Sequence, residues 1–367
     1  MRLTFAALLT GFATQVAAGG IDRNGQPVTF LFEQGTVFEA GYGAISPSIS
    51  GNDAAFLGGA ATGNIAKGVQ PYSFSFKADL TDKLSFGVLI DQPFGAEIEY
   101  APGSLAFGGT SARADLSSMT ALVRYKFNDR FSAHGGLRVI SGDAEVDLIG
   151  GLYAGLGLFG YNMSLSRTTA YGYVLGAAYE IPEYFLRFSL TYSSEIKQSF
   201  PTVESNFGAV VSTADSEAVI PQSINLEFQS GVAPKTFVFG GARWAEWSQL
   251  RFDPPFLLAT TGQTLIEFED TITYQLGVGR QLNENWTGLF SLIHEPGGDP
   301  VVSPLAPVNG FSGANLALVY SKDNLRVTGF LNYTKLGDAT PGGSGVALAT
   351  FTGNESVAAG IKIGITF

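Results

Sequence analysis

Read backwards from the C-terminus, Phe367, Ile365, Ile363, Ile361, Ala359 and Val357 are apolar, and Thr366, Gly364, Lys362 and Gly360 lie between them. A period of two is the signature of a β-strand with one apolar and one polar face. The pattern recurs along the chain. Tyr72, Phe74, Phe76 and Ala78 alternate with Ser73, Ser75, Lys77 and Asp79; Met119, Ala121, Val123 and Tyr125 alternate with Thr120, Arg124 and Lys126. Leu186, Phe188, Leu190 and Tyr192 alternate with Arg187, Ser189 and Thr191. The spacing predicts strands at 35–45, 70–80, 83–100, 111–127, 130–142, 166–180, 184–197, 218–231, 235–249, 267–281, 284–295, 311–321, 323–336 and 354–367. Tight turns such as Asn128-Asp129-Arg130 and Leu282-Asn283-Glu284 alternate with long connections near 46–69, 101–110, 143–165, 198–217, 250–266, 296–310 and 337–353. Short periplasmic turns and long extracellular loops are the rule of a transmembrane antiparallel β-barrel, and an even number of strands returns both ends to the periplasm. The expected fold class is therefore all-β, a fourteen-stranded barrel with apolar side chains facing lipid. Phe127, Phe131, Tyr179, Tyr184, Trp286, Tyr320 and Phe367 lie beside the short turns, where aromatic rings gather at a membrane interface.

Composition narrows the picture. Only 14% of the 367 residues are charged, against about 25% in an ordinary soluble domain. Forty-seven glycines and 29 phenylalanines argue against a helical bundle, and the apolar content argues against disorder. With no cysteine there is no disulfide framework, thiolate metal site or cysteine nucleophile. A net charge of −11 disfavours nucleic acid as a partner. Residues 1–18 combine Arg2, the apolar run from Leu3 to Phe12 and the small-residue end Val16-Ala17-Ala18, which predicts a secretory signal peptide. The uncharged stretch Leu148 to Ser166 holds five glycines, so an apolar loop is expected there and not a membrane helix. Export, the barrel pattern and the terminal Phe367, similar to the C-terminal signal read by the barrel-insertion machinery, place the chain in the bacterial outer membrane among its lipids.

Four stretches together resemble the FadL family (OmpP1/FadL/TodX) of outer-membrane transporters for long-chain fatty acids and other hydrophobic compounds. They are Leu84-Ser85-Phe86-Gly87 followed by Gln92-Pro93-Phe94-Gly95 and Tyr100; Ile220-Pro221-Gln222-Ser223-Ile224; Gly240-Gly241-Ala242-Arg243-Trp244-Ala245-Glu246-Trp247-Ser248; and Asp270-Thr271, Leu276-Gly277-Val278-Gly279 and Asn285-Trp286. The resemblance implies a barrel whose kinked third strand opens the wall sideways. The kink falls at Gln92, Pro93, Phe94 and Gly95, where Pro93 lacks a ladder N–H and Gly95 permits a bulge. It also implies an N-terminal plug. Here only residues 19–34 precede the first strand, so a short, reduced plug is expected ahead of a barrel over 35–367, and Asn52-Asp53-Ala54-Ala55 is not equated with the family's plug motif.

Candidate chemistry is sparse. Leu148, Ile149, Leu152, Tyr153, Leu156, Leu158 and Phe159 form an apolar patch in the third extracellular loop, a site for capturing a hydrophobic ligand or for packing across the mouth. Lys77, Arg124, Arg138 and Arg187 face the lumen and are candidates to hold a ligand carboxylate or to pair with lumen acids. Gly155-Leu156-Gly157-Leu158-Phe159-Gly160 matches a dinucleotide fingerprint in letters only, with no βαβ unit around it. His134 and His294 carry no catalytic or metal-binding context. The expectation is a monomeric transporter, not an enzyme, with no cofactor and no metal, that moves hydrophobic small molecules passively by loop capture, lumen binding and lateral release. The alternative is a general diffusion porin for small polar solutes.

Overall fold

The structure is a computed structural model that describes residues 22–343 and 345–367. The expected signal peptide and residues 19–21 of the expected plug lie outside the described residues. Fourteen strands form the wall: β1 (Val37–Ser48), β2 (Tyr72–Asp79), β3 (Leu84–Glu99), β4 (Ser111–Lys126), β5 (Phe131–Leu148), β6 (Tyr161–Ile181), β7 (Leu186–Ser193), β8 (Ser223–Ala233), β9 (Thr236–Ala245), β10 (Thr271–Gln281), β11 (Trp286–Glu295), β12 (Phe311–Lys322), β13 (Leu325–Leu336) and β14 (Glu355–Thr366). Each pairs antiparallel with its neighbours in sequence, and β1 closes on β14 from Val37↔Thr366 to Ser48↔Glu355. Closure leaves no free edge in the lipid, where an unpaired backbone group would cost several kcal/mol.

Burial shows which way the faces turn. Outward residues such as Phe38, Phe74, Met119, Leu137, Leu276 and Ile361 are exposed, whereas Lys77, Arg124, Arg138, Thr191, Ser291 and Asn332 are buried. This inside-out arrangement is that of a membrane barrel. The short turns close on side chains that tie back to the backbone. Asn128 Oδ1 accepts from the N–H groups of Arg130 and Phe131 at 2.9 and 2.8 Å, and Asn283 does the same for Asn285 and Trp286 at 2.9 and 3.0 Å. Girdle rings meet across strands at this end, with Phe131–Tyr179 centroids 4.8 Å apart and Trp286–Tyr320 4.9 Å apart.

The extracellular side departs from the sequence reading. β5 runs on to Leu148 and β6 begins at Tyr161, so both strands extend into the expected 143–165 loop. The expected loop at 198–217 is a hairpin, Ile196–Asn206 against Ala209–Ile220, set off from the wall by breaks at Ser194 and Pro221. Its first strand pairs with the outer end of β6, from Tyr161↔Asn206 to Leu165↔Thr202. Two short helices, α1 (Gly151–Gly155) and α2 (Pro255–Thr261), lie in the extracellular connections.

The interior is filled in layers. Near the turns, Phe237, Phe239, Leu289 and Val319 pack together. Residues 28–32 pack against Leu122, Val174 and Ala178. A further cluster joins Phe94, Leu116, Ile140, Ile196, Ile220 and Trp247. The largest cluster caps the extracellular mouth and includes Tyr100, Phe107, Leu148, Tyr153, Leu158, Phe252 and Phe351.

Candidate ligand path

The N-terminal segment lies inside the barrel. A single 3-10 turn, Thr29–Phe32, buries Phe30, Leu31 and Phe32. Each buried side chain of this size contributes about 1.5–3 kcal/mol, which gives the segment a strong apolar anchor. Gly87 makes room for it, since a β-carbon there would come within 2.7 Å of the Phe30 ring. The guanidinium carbons of Arg124 and Arg187 both lie over the Phe32 ring, at 4.4 and 4.3 Å from its centroid.

Ion pairs fix the two ends of this plug. Glu33 meets Arg326 at 3.0 Å, and Arg326 also holds Glu39 at 2.8 Å, which in turn meets Lys362 at 3.0 Å. Burial raises the Glu33 carboxyl above its ordinary pKa, and the Arg326 charge opposes that rise. At the other end Asp22 pairs with Arg243 at 2.9 Å, and both are nearly buried. Arg243 is further held by Ser223 and Asn225, and the Asn225 amide donates to the Gly25 carbonyl at 2.8 Å. Asn24 donates to Asp91 at 2.7 Å.

At the residues expected to kink, β3 carries a bulge. Asp91 pairs with Ser118 and Phe94 with Leu116, so Gln92 and Pro93 together oppose Ser117 alone. On the other side, pairing with β2 ends at Ser73↔Asp91, and further out β3 bonds to the connection ahead of β2, where Lys67 donates to the Glu97 carbonyl at 3.1 Å and Glu99 to the Ile65 carbonyl at 2.7 Å. Between these points the wall ladder is interrupted, and the plug fills the break. The Arg23 N–H donates to the Pro93 carbonyl at 2.7 Å, and its Nε donates to the Gly95 carbonyl at 3.1 Å. Burial lowers the Arg23 pKa, with Asp115 and Glu97 acting against it. Gly95 sits at φ +150°, in the left-handed half of the map, and a β-carbon there would lie 2.4 Å from Arg23 Nη2. Phe94 turns inward, fully buried edge-on against Trp247 at 5.9 Å. A cavity of about 100 Å³ lies at the break, lined among others by Arg23, Asn24, Tyr42, Tyr72, Asp91 and Gln92.

At the mouth a cavity of about 910 Å³ opens between the third-loop patch, α2 and the connections at 262–272 and 295–310. Its scaffold is held by buried polar clasps. Asp53 accepts from Ser104 Oγ at 2.7 Å, from the Leu105 N–H at 2.6 Å and from the Ala106 N–H at 3.2 Å, pinning the 101–110 loop. Glu204 accepts from Tyr161 Oη at 2.8 Å and from the Phe256 and Leu257 N–H groups at 3.0 Å each, pinning α2.

The family model for outer-membrane transport proteins of the OMPP1/FadL/TodX type matches residues 18–288. The chain belongs to the FadL family. Its fold is similar to that of a Pseudomonas aeruginosa FadL homologue, with a TM-score of 0.75 at 14% identity over 93% of this chain and 92% of that one. It is also similar to the Pseudomonas putida toluene transporter TodX, with a TM-score of 0.65, 15% identity and coverage of 93% and 92%. The Ralstonia pickettii toluene transporter TbuX gives 0.63 at 14% identity, covering 95% of each chain. No curated protein matches the chain in sequence. Family and fold place this FadL-family chain in the bacterial outer membrane, as a transport protein with a closed fourteen-stranded wall.

The residues singled out in the sequence fall in three places. Leu148, Leu152, Tyr153, Leu156 and Leu158 line the mouth cavity, with Leu148, Tyr153 and Leu158 also buried in the mouth core. Ile149 instead packs beside Gly109, and Phe159 meets Phe207 of the outer hairpin at 5.9 Å. The four lumen cations are engaged by the plug or the wall. Lys77 donates to the Gly35 carbonyl at 3.0 Å and to Asp79 at 2.5 Å; Arg124 pairs with Glu180; Arg138 reaches Gln26; Arg187 covers Phe32. His134 is buried with Nε2 3.0 Å from Thr191 Oγ1, whereas His294 bonds Ser312 at 2.9 Å on the outer face of β11. The sequence reading did not single out Asp22, Arg23, Arg243 and Trp247, which the structure places around the break and the N-terminal segment. Arg243 and Trp247 lie in the third family-like stretch, which was the available signal.

Proposed function

We propose that this protein carries hydrophobic small molecules passively across the outer membrane. Ligand is captured at the mouth on the Leu148–Phe159 patch, passes into the lumen as the plug shifts, and leaves sideways through the break beside Gln92, Pro93, Phe94 and Gly95. Apolar burial drives capture, at about 0.8 kcal/mol per buried CH₂. The observation that carries this reading is the interrupted ladder between β2 and β3, bridged by hydrogen bonds from Arg23 to the Pro93 and Gly95 carbonyls. A wall whose sole purpose was to be impermeable would complete that ladder. A carboxylate bound at Lys77, Arg124, Arg138 or Arg187 would have to displace the contacts these residues now make. The diffusion-porin alternative is less well supported, because the segment around Phe30–Phe32 occupies the lumen.

The test removes the bulge without changing which way the strand faces. Deleting Gln92 and replacing Pro93→Thr restores one-to-one pairing between β3 and β4 and supplies the missing N–H. In liposomes, with bare-lipid flux subtracted, transfer of a long-chain hydrocarbon probe should fall to background while the barrel still folds. Unchanged transfer by the folded variant excludes the lateral route. Flux of a small sugar with no hydrophobic preference in the unaltered protein would favour the porin.

A further inference from the structure

The mouth cavity has an electrostatic character that the sequence did not disclose. Six acidic residues line it, Asp253, Glu267, Glu269, Asp270, Glu295 and Asp299, against the single cation Arg251. None of the seven takes part in an ion pair among the described residues. Those with hydrogen bonds are bonded to neutral donors. Glu269 accepts from the Asp299 N–H at 3.0 Å, Asp270 from the Ser248 N–H at 3.0 Å, Asp299 from the Val301 N–H at 2.8 Å, and Glu295 from Thr273 Oγ1 at 2.6 Å. Such bonds orient the carboxylates; Glu295 is buried, and the negative charge of the cavity is carried by the five exposed acids Asp253, Glu267, Glu269, Asp270 and Asp299. The lining also includes the apolar Leu152, Leu156, Leu257 and Leu258. The cavity thus offers apolar side chains for a hydrocarbon body and carboxylates for its polar end.

We infer that the mouth selects hydrophobic ligands by the charge of that end, favouring an amine and rejecting a carboxylate. This rests on the capture reading above and specifies its substrate class. A carboxylate drawn in by its tail meets a cluster of like charge at short range and is repelled. An ammonium of the same chain length gains on both counts.

The probes are dodecylamine, dodecanol and dodecanoate, which share a tail and differ at one end. Their binding to the full chain in neutral detergent is measured by calorimetry at low salt. Amine should bind about tenfold or more tighter than carboxylate, with alcohol between. The ratio should shrink in about 1 M salt, where the screening length falls to about 3 Å. Glu267→Gln with Glu269→Gln should narrow the ratio and leave dodecanol affinity unchanged. Equal binding of amine and carboxylate, or tighter carboxylate, overturns the inference and leaves capture intact. If Leu156→Ser alters the binding of no probe, capture at the mouth fails and the inference falls with it.

Discussion

Replacing Asp22→Ala should unfasten the plug. Asp22 is held 2.9 Å from the Arg243 guanidinium, with side-chain exposures of 8% and 11%. Removing one partner of a buried ion pair costs about 3–5 kcal/mol, because the remaining charge stays desolvated and uncompensated. Arg243 keeps its bonds to Ser223 and Asn225, both 2.9 Å, so the lower end of that range applies. About 3 kcal/mol corresponds to a shift of roughly a hundredfold in the ratio of displaced to seated plug. Lost bonds from the Asn24 and Gly25 N–H groups to Asp22 add to the effect in the same direction. The assay is ionic conductance of purified protein in planar bilayers, together with sugar leakage from liposomes. Both should rise well above the unaltered protein while heat resistance of the barrel is retained. The double variant Asp22→Ala with Arg243→Leu removes the stranded charge as well and should lose much of the leak. Conductance unchanged in the folded single variant, or a double variant as leaky as the single, would refute the argument.

Three further outcomes follow from the geometry. Gly95→Ala places a β-carbon 2.4 Å from Arg23 Nη2 and 2.8 Å from the Ala114 carbonyl at a φ of +150°. It should cost about 1–3 kcal/mol of strain and loosen the plug at the kink, seen as faster proteolysis of the N-terminal segment. Asp53→Ala strands the Leu105 and Ala106 N–H groups it now accepts from, about 1–3 kcal/mol each where they are buried, and should make the 101–110 loop sensitive to protease. Gly279→Val would set a side chain 2.2 Å from the Phe237 ring that fills the lower lumen, and should reduce the yield of folded barrel measured by heat-modifiable gel migration.

The wall was legible because lipid imposes a strict rule on every outward residue. Phe74 and Phe76 on β2, or Ile361 and Ile363 on β14, announce themselves by contrast with their neighbours. Legibility fails where strands rise beyond the apolar band. Past Gly142 the outward residues of β5 are Asp143, Glu145 and Asp147, and the hairpin at 196–220 has polar residues inward as well, such as Gln198 and Glu204. Alternation there has little contrast, and Pro201 within the hairpin reads as a breaker. The kink could be read because Pro93 and Gly95 are local backbone signals. Its partner could not, since Arg23 and Gly95 are 72 positions apart in the chain. For the same reason Lys77, Arg124, Arg138 and Arg187 were recognisable as inward cations, while the plug groups they contact were not.

If ligand leaves sideways as proposed, its exit is linked to the seal of the bore. Arg23 belongs to the segment that stoppers the bore, and it also supplies the donors for the Pro93 and Gly95 carbonyls at the side window. On the proposed lateral route the bore and the side opening share this fastening, so a change at Arg23 would weaken both, while Asp22–Arg243 and Glu33–Arg326 continue to hold the segment. Throughput for a greasy cargo is then tied to momentary leakiness toward water-soluble toxins. A cell carrying many copies would trade faster feeding for a weaker barrier.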